Sequence, residues 1–428
     1  MSKYQSFIFK NYGLKGNTLT LTYSLDNQIT FQETSVFDFP FADNINAELL
    51  DRLLQTLFFM AGVSYFKTYL PEKIVVEKGQ LTKSQADFFA KTYRHGLGEF
   101  FYINHLDPNT PINFPVTTTE KLNVLSNSGA GQLVGLGGGK DSLVSAELLR
   151  SQPKIATWTM GQRSQLEPLV EKVGLTHIWV QRMWDKQLLE LNKQGAYNGH
   201  VPFSAILGSI GAVVAVLAGY RDIVVSNESS ASEPNLEYKG VSINHQYSKS
   251  LEFEKDFQNH LQIIAGDSLR YYSFLRPFSE LRIAEIFSKI GFDKYKDVFS
   301  SCNRAFIHSG DSIFWCGECP KCAFVFLILT PFIERQQLEA LFHGKNLLLE
   351  ELLEPTYRQL LGIEGNKPLE CVGEIKEARC AMEFAKKQYP ELAKYQYELP
   401  TDYDYTALAD HAMPAEMFKI LQNAVQPE

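Results

Sequence analysis

Residues 132–142 read Gln-Leu-Val-Gly-Leu-Gly-Gly-Gly-Lys-Asp-Ser, and this stretch decides the fold. The apolar run at 132–136 is typical of a buried strand, and beyond residue 142 apolar residues return at helical spacing. A strand, a glycine-rich turn and a helix start form an anion-binding site, because the first N–H groups of a helix lack partners within it and its dipole favours negative charge. We therefore expect a phosphate group at residues 137–142, which we call the phosphate loop.

Two common phosphate-binding motifs do not fit this loop. A Walker A loop needs Ser or Thr after Gly-Lys, whereas Lys140 is followed by Asp141. The dinucleotide fingerprint fails because its third glycine would fall on Lys140. The stretch instead resembles the Ser-Gly-Gly-x-Asp-Ser loop of the PP-loop ATP pyrophosphatases, with Gly137 in place of the usual first serine. Such enzymes cleave ATP between the α and β phosphates and leave AMP on a substrate oxygen.

The residues of the phosphate loop have distinct expected roles in ATP binding. The glycines allow the backbone to approach the pyrophosphate, Lys140 neutralises its charge, Asp141 holds Mg²⁺ or Mn²⁺, and Ser142 donates a hydrogen bond to a phosphate oxygen. A plain glycine-rich turn is the alternative, but charged and hydroxyl side chains stand where a phosphate would lie. The predicted cofactor-binding residues are Gly137, Gly138, Gly139, Lys140, Asp141 and Ser142.

Length and composition limit the class of protein. A chain of 428 residues with 45% hydrophobic residues is long enough for two or three domains. The net charge of −8 argues against a nucleic-acid partner. The first residues, Met-Ser-Lys-Tyr-Gln, lack the apolar segment of a secretory signal, so we expect a cytoplasmic protein. The sequence alone defines no oligomeric state.

The order of predicted elements indicates an α/β fold. Three strands near 7–9, 19–23 and 29–31 predict a small antiparallel sheet, followed by helices at about 47–69 and 83–96. Later strands at 155–160, 177–180 and 223–226 alternate with helices, which predicts a doubly wound, mostly parallel sheet of the PP-loop, HUP-like type. The uncharged segment 203–220 is rich in Gly, Ala and Ser and leads into a strand, so we interpret it as a buried crossover helix with no membrane insertion.

These patterns divide the chain into three predicted domains. Residues 1–122 form an N-terminal α+β domain, residues 123–300 the ATP-binding α/β domain, and residues 301–428 a cysteine-rich and helical C-terminal region.

Polar side chains are concentrated after the strand at 223–226. Residues 226–233 and 244–250 are rich in Ser, Asn, Glu, His and Lys, and residues 198–200 read Asn-Gly-His. Because ligands gather at the carboxyl ends of strands in open α/β sheets, these segments predict a substrate site. A surface loop would be polar as well, and that alternative stays open.

Four cysteines form the second strong signal. Cys316, Cys319 and Cys322 follow a Cys-x2-Cys-x2-Cys pattern, and Cys302 lies upstream. Four thiolates can close a tetrahedral Zn²⁺ site, which would be structural because no coordination position stays open. An Fe–S cluster and unliganded reduced thiols are the alternatives.

Two further cysteines stand outside this pattern. Cys371 and Cys380 are interpreted as buried structural thiols, although two thiols can also serve as a pair of bases on a carbon acid.

Taken together, the motifs resemble the bacterial UDP-N-acetyl-α-D-muramoyl-L-alanyl-L-glutamate epimerase family. Their order and spacing carry the resemblance, which covers most of the chain. The matching segments are 62–67, 95–102, 137–142, 198–202, 226–228, 244–250, 275–281, 301–306, 315–322 and 367–374.

The resemblance implies a reaction, a substrate and cofactors. The substrate would be a UDP-activated muramoyl dipeptide, whose terminal L-glutamate is converted to D-glutamate during synthesis of a peptidoglycan precursor. ATP and Mg²⁺ would activate the glutamate as an acyl adenylate, with release of AMP and pyrophosphate. A base would then remove the α-proton from one face, and an acid would return a proton to the other.

The resemblance also suggests residues for each role. The candidates for proton transfer are His245, Glu228, His200, Lys249 and Cys371. The candidates for binding the diphosphate or the carboxylates of the substrate are Arg276, Arg304, Lys249 and Asn227. The predicted metal ligands are Asp141 for Mg²⁺ and Cys302, Cys316, Cys319 and Cys322 for Zn²⁺.

Two other functions remain open from the sequence. A 7-cyano-7-deazaguanine synthase-like enzyme also activates a carboxylate with ATP and carries a similar group of cysteines, but the N-terminal domain and the long C-terminal region fit it less well. A zinc-stabilised, non-catalytic nucleotide-binding module follows if Gly137 disables the loop.

Overall fold

The computed structural model describes residues 3–305, 313–399 and 403–425, and Phe306, the last residue of one motif, lies outside them. The fold is a mixed α/β structure with many helices. Its strands are β1 (Ser6–Lys15), β2 (Thr18–Leu25), β3 (Ile29–Phe37), β4 (Lys73–Val76), β5 (Gln132–Gly135), β6 (Ile155–Met160), β7 (His177–Met183), β8 (Asp222–Val225), β9 (Leu236–Tyr238), β10 (Val241–Ile243) and β11 (Arg270–Ser273).

Nine of the described strands form one large, mostly parallel sheet. Its order is β11-β8-β5-β6-β7-β3-β2-β1-β4, and β9 and β10 pair separately. The pairs β1–β2, β2–β3 and β3–β7 are antiparallel, and β1–β4 is parallel. The strands predicted at 132–136, 155–160, 177–180 and 223–226 are confirmed.

The helices of the described residues are mostly short. They are α1 (Ala47–Ala61), α2 (Val63–Phe66), α3 (Lys83–Gly96), α4 (Gly98–Ile103), α5 (Lys140–Leu149), α6 (Arg163–Val173), α7 (Gln187–Lys193), α8 (Phe203–Ala218), α9 (Leu251–Ala265), α10 (Glu280–Ile290), α11 (Phe292–Tyr295), α12 (Pro320–Leu329), α13 (Arg335–Leu341), α14 (Glu354–Leu360), α15 (Ile375–Lys386) and α16 (Ala415–Ala424).

The chain forms two compact units, and it enters each of them more than once. Unit 1 comprises Met1–Leu133, Ile178–Ile223 and Glu237–Tyr272. Unit 2 comprises Val134–His177, Val224–Leu236 and Ser273–Glu428. The division into three domains at residues 122 and 300 stays a sequence-based prediction.

The N-terminal strands do not form a small sheet of their own, and that prediction was wrong. They are antiparallel as expected, but β3 pairs with β7, with Phe37 opposite Val180 and Thr34 opposite Met183. A strand left at the edge of a sheet has unpaired backbone groups, and pairing with β7 satisfies those of β3. The alternation of buried and exposed residues along β3 did not reveal this partner, because pairing depends on the rest of the chain.

The core of unit 1 is aromatic, and α8 is among its most deeply buried helices. Tyr23 stacks on Phe58 with ring centroids 5.2 Å apart, and Phe9 meets both Phe58 and Phe59 edge to face. α8 packs on α1, which confirms the interpretation of 203–220 as a buried helix. Among the described residues, no helix combines the length and apolar character that crossing a bilayer requires.

The predicted helix at 47–69 is divided in the structure. It ends as α1 at Ala61 and resumes as α2 after Gly62. A Cβ atom at Gly62 would lie 2.5 Å from the ring of Phe9, so the absence of a side chain allows the chain to pass close to β1. The helix predicted at 83–96 is confirmed as α3.

A buried ion pair joins β3 to β7 inside unit 1. Arg182 donates to Glu33 at 2.7 Å, and both side chains are almost fully buried. The hydroxyl of Tyr65 donates to the second oxygen of Glu33 at 2.9 Å and accepts from the N–H of Asp185 at 3.1 Å. Within the described part of the chain, Arg182 and Tyr65 therefore compensate the buried Glu33 carboxylate.

We predict that Arg182→Met destabilises the protein by about 3–5 kcal/mol, because it leaves the Glu33 carboxylate buried without a counter-charge. The urea midpoint, followed by circular dichroism, measures this effect. The matched control is Lys83→Met, which breaks the exposed Lys83–Asp87 pair and should cost below about 1 kcal/mol. Equal losses in the two variants would contradict the assignment.

Candidate functional site

The phosphate loop joins β5 to α5 in unit 2, as the sequence predicts. Gly138 has φ of +91°, a conformation that favours glycine. The Ser142 hydroxyl closes the loop, because it donates to the carbonyl of Gly139 at 3.0 Å and accepts from the N–H of Gly137 at 3.3 Å. The N-cap residue of α5 is Gly139, which has no side chain to cap the helix. The first turn of α5 can therefore bind an anion.

Lys140 is a buried lysine at the centre of a group of charged side chains beside this loop. Its side chain is 2% exposed and forms ion pairs with Asp141 and Glu280. Burial lowers the pKa of Lys140, but the Asp141 and Glu280 carboxylates raise it, and the net direction is upward. Lys140 is thus a permanent cation at the entrance of α5.

Glu280 links Lys140 to a second buried lysine. The Nζ atom of Lys321 lies 3.4 Å from a Glu280 carboxylate oxygen. Burial raises the pKa of Glu280, yet the charges of Lys140 and Lys321 lower it to about 2. The N–H of Glu280 donates to the Glu377 carboxylate at 3.1 Å, and burial raises the pKa of Glu377 well above its usual range.

Three carboxylates next to the loop could hold a divalent cation. One oxygen from each of Asp141, Glu228 and Glu280 lies within 4.8 Å of the others. Carboxylate oxygens are the ligands that Mg²⁺ prefers. Asp141 and Glu228 were predicted from the sequence to belong to the site, whereas Glu280 was not, although it lies in the segment 275–281.

The structure brings some predicted substrate-binding residues together and separates another. Arg276 is 1% exposed and donates to the carbonyl oxygen of Glu228, and the carbonyl of Asn227 accepts from the Ser273 hydroxyl at 2.5 Å. These residues flank Glu228 in unit 2. Arg304 instead lies on an exposed segment, where it pairs with Glu318 at 2.7 Å.

The four cysteines predicted to bind metal converge in unit 2 and form what we call the cysteine cluster. Their Sγ atoms all lie within 4.8 Å of one another, with Cys302 and Cys319 at 4.0 Å and Cys316 and Cys322 at 3.7 Å. A tetrahedral Zn²⁺ with Zn–S bonds of about 2.3 Å separates its sulfurs by roughly 3.8 Å, so the residues fit this ion. Hydrogen bonds from Cys319 and Cys322 lower the pKa of the Cys302 thiol.

The cysteine cluster is connected to the phosphate loop from two directions. The N–H of Ser300 donates to the carbonyl of Gly138 at 3.0 Å, and a Cβ atom on Gly139 would lie 3.1 Å from Ser301. From the other side, Lys321, between two of the cysteines, reaches Glu280. The cluster can therefore act as a scaffold for the loop.

The remaining two cysteines lie on the C-terminal part of unit 2. Cys371 is half-buried and follows Glu370, whose carboxylate accepts from the N–H of Lys321 at 2.9 Å. Cys380 is buried on α15, and burial raises the pKa of its thiol. A neutral buried thiol fits the structural interpretation of Cys380.

A second group of titratable side chains lies in unit 1, and we call Glu99, His200 and His245 the histidine cluster. Oε2 of Glu99 accepts a hydrogen bond from Nδ1 of His245 and lies 3.7 Å from Nδ1 of His200. The two imidazole rings have centroids 4.5 Å apart. Burial and the charges of His245 and Lys249 lower the pKa of His200 to about 4 against the opposing effect of Glu99.

The histidine cluster contains two predicted residues, His200 and His245, and one that the sequence reasoning missed. His200, His245 and Lys249 were all candidates for proton transfer, and the structure places them together. Glu99 was missed, although its segment, 95–102, carries the family resemblance. A single carboxylate in an aromatic segment gives no signal until its histidine partners are known.

A family model described as the MurL N-terminal domain matches residues 1–274, and one described as the MurL C-terminal domain matches residues 298–396. No solved structure matches the chain significantly.

Three curated relatives share the name UDP-N-acetyl-alpha-D-muramoyl-L-alanyl-L-glutamate epimerase. The protein of Xanthomonas oryzae pv. oryzae is 40% identical over 85% of this chain and 81% of its own length. The protein of a Micromonospora species is 37% identical over 91% of this chain and 88% of its own. The Salinispora tropica protein is 37% identical over 91% of this chain and 86% of its own.

We predict that the purified protein holds about one Zn²⁺ per chain and that Cys319→Ser loses most of it, because a site with three thiolates binds the ion less tightly. Mass spectrometry of the metals bound after dialysis measures the content. The matched control, Cys380→Ser, changes a buried cysteine outside the cluster and should keep the zinc. Retention of zinc in the Cys319 variant would overturn the ligand assignment.

We further predict that His200 stays neutral well below the pKa of about 6.5 of an exposed histidine. The pKa of His200 is about 4 in the folded chain. As the pH falls, the unfolded chain therefore protonates His200 before the folded chain does. The contribution of His200 to stability is therefore present above pH 6.5 and is lost as the pH falls towards 4. ¹⁵N NMR of the imidazole, assigned with His200→Gln, measures the titration; a midpoint near pH 6.5 would contradict the burial argument.

Proposed function

The chain belongs to the MurL family of epimerases, and from this premise we propose that it converts the terminal L-glutamate of UDP-N-acetylmuramoyl-L-alanyl-L-glutamate to D-glutamate. The similarity to proteins with that name covers most of the chain in both units. The product is a precursor of peptidoglycan. The charges beside the phosphate loop and the histidine cluster suggest how the reaction is divided.

The chemical obstacle is the carboxylate next to the α-carbon. Removing the α-proton would place a second negative charge beside an existing one, so the free amino-acid residue is a weak carbon acid. Conversion of the carboxylate to an acyl adenylate removes its charge and lets the developing negative charge spread onto the carbonyl oxygen. ATP is therefore the proposed co-substrate, with AMP and pyrophosphate as its products.

Unit 2 carries the groups for this activation, in the manner of a PP-loop enzyme with a HUP-like sheet. The observation that carries the proposal is the uncapped first turn of α5 with Lys140 buried beside it. Asp141, Glu228 and Glu280 would hold Mg²⁺, which neutralises the phosphates during transfer of the adenylyl group. Arg276 and Asn227 would shape the same region of the site.

The histidine cluster in unit 1 is the proposed source of proton transfer. His200 is neutral at pH 7 and can accept a proton, while His245, paired with the Glu99 carboxylate, is suited to carry one. Because the two ring centroids are 4.5 Å apart, a tetrahedral carbon does not fit between the rings. The two histidines would therefore serve one face of the α-carbon, and Lys249, in the same unit, is the candidate for the other.

The cysteine cluster would hold Zn²⁺ in a structural role. The four Sγ atoms are close enough for a single ion, which favours zinc over a larger iron–sulfur cluster. Bound zinc would fix Ser300 and Lys321, and through them the phosphate loop. No open coordination position remains for chemistry.

The test is to incubate the protein with UDP-N-acetylmuramoyl-L-alanyl-L-glutamate, ATP and Mg²⁺ in D₂O. We expect AMP, deuterium at the glutamyl α-carbon and D-glutamate after hydrolysis of the product. AMP without deuterium would retain the activation step but contradict epimerisation. Deuterium without any requirement for ATP would contradict the adenylate.

Two variants separate the half-reactions. Lys140→Met should lower the rate of AMP formation by about 100-fold or more, because it removes the cation at the phosphate loop. His200→Gln should still form AMP but exchange deuterium at least about 100-fold more slowly, because it removes the base. A matched control is His411→Gln, which changes a half-buried histidine of the C-terminal region and should leave both signals unchanged.

A further inference from the structure

Lys67 is a buried cation without an acidic partner among the described residues. Its side chain lies under the surface of unit 1 and is 7% exposed. Its contacts are the side-chain oxygen of Asn198, at 3.0 Å from Nζ, and the ring of Phe100, whose centroid is 5.9 Å from Nζ. Burial lowers the pKa of Lys67 to about 8.

An isolated buried charge of this kind is costly, and three other buried cations of the described residues have carboxylate partners. Lys140 and Lys321 are equally buried, but both are paired with Glu280. Arg182 is paired with Glu33. A buried ammonium held only by one neutral amide oxygen lacks most of the compensation that these side chains receive. A bound anion would supply the missing charge.

The surroundings of Lys67 connect it to the histidine cluster. Asn198, which accepts from Lys67, precedes His200 by two residues. The Asn104 side chain donates to the backbone carbonyl of Asn198 at 2.9 Å and to that of Phe100 at 2.8 Å, which ties this segment to α4. α4 also carries Glu99. Residues 197–199 are exposed, so Asn198, which contacts Lys67, lies at the surface of unit 1.

We infer that Lys67 binds the side-chain carboxylate of the substrate's glutamate while the histidine cluster acts at the α-carbon. The inference rests on the proposed function. Of the two glutamate carboxylates, the one next to the α-carbon loses its charge on adenylation, whereas the side-chain carboxylate keeps its charge throughout. The Lys67 ammonium has three N–H donors. One donates to the Asn198 side chain, and the others can donate to that carboxylate. Lys67 thus sets the specificity for glutamate.

The test compares the natural substrate with its side-chain amide, UDP-N-acetylmuramoyl-L-alanyl-L-glutamine, in the wild-type protein and in Lys67→Met. The wild type should prefer glutamate at least about 10-fold in kcat/KM, because a buried charge pair is lost with the amide. In Lys67→Met this preference should fall to about 1. Preserved discrimination in the variant would overturn the assignment.

Stability provides a second readout that a purely structural lysine would not share. Because the variant removes an uncompensated charge, Lys67→Met should keep or raise the urea midpoint of the free protein. A lower midpoint together with equal loss for both substrates would show that Lys67 only supports the fold. The matched control, Lys83→Met on α3, removes an exposed lysine and should leave discrimination unchanged.

Failure of the proposed function would be visible separately. If the wild type turns over neither substrate, calorimetry in the absence of ATP still measures the dissociation constants of the glutamate and glutamine forms of the UDP-linked dipeptide. Tighter binding of the glutamate form by the wild type, lost in Lys67→Met, would support the carboxylate site without epimerisation. Equal affinities in the wild type would overturn it.

Discussion

The carboxylate of Glu280 is the interaction on which unit 2 depends. It receives Lys140 from the phosphate loop and Lys321 from the first turn of α12, between two cysteines of the cluster. Two buried cations would repel each other without it, and a buried carboxylate would be neutral without them. One residue at the start of α10 therefore holds the lysine of the phosphate loop and the cysteine-rich segment in a single charged network.

Unit 1 solves a different electrostatic problem. Its histidine cluster has one carboxylate for two imidazoles, and Glu99 lies closer to His245 than to His200. Burial and neighbouring charges lower the pKa of His200. Lys67 and Lys249 add positive charge near the same segments. A region rich in cations and neutral imidazoles suits a substrate that carries carboxylates and must lose a proton. The two units thus carry different charged groups, a lysine–carboxylate network in unit 2 and a carboxylate with two imidazoles in unit 1.

Much of the fold was open to prediction because its signals are local. The strand, turn and helix at 132–149, the helix α3 and the buried helix α8 follow from periodicity and from glycine and capping positions within a few residues. The pairing of β3 with β7 was not predictable in this way, because the strands are more than a hundred residues apart and many strands share the same alternation. Local sequence patterns define helices and strands, whereas the pairing of strands depends on the packing of the whole unit.

The sequence by itself determined the phosphate loop and the four cysteines, since the chemistry of each lies in residue types at short, fixed spacings. It also identified His200, His245 and Lys249 as polar residues near strand ends. Only the tertiary structure decided that Glu99 joins the two histidines, that Glu280 joins Lys140 and that Lys67 has no carboxylate partner in the described part of the chain. Whether a buried charge is compensated depends on side chains from distant parts of the chain. The reason is that electrostatic energy depends on the spatial distance between charges and on their burial, not on their separation along the sequence.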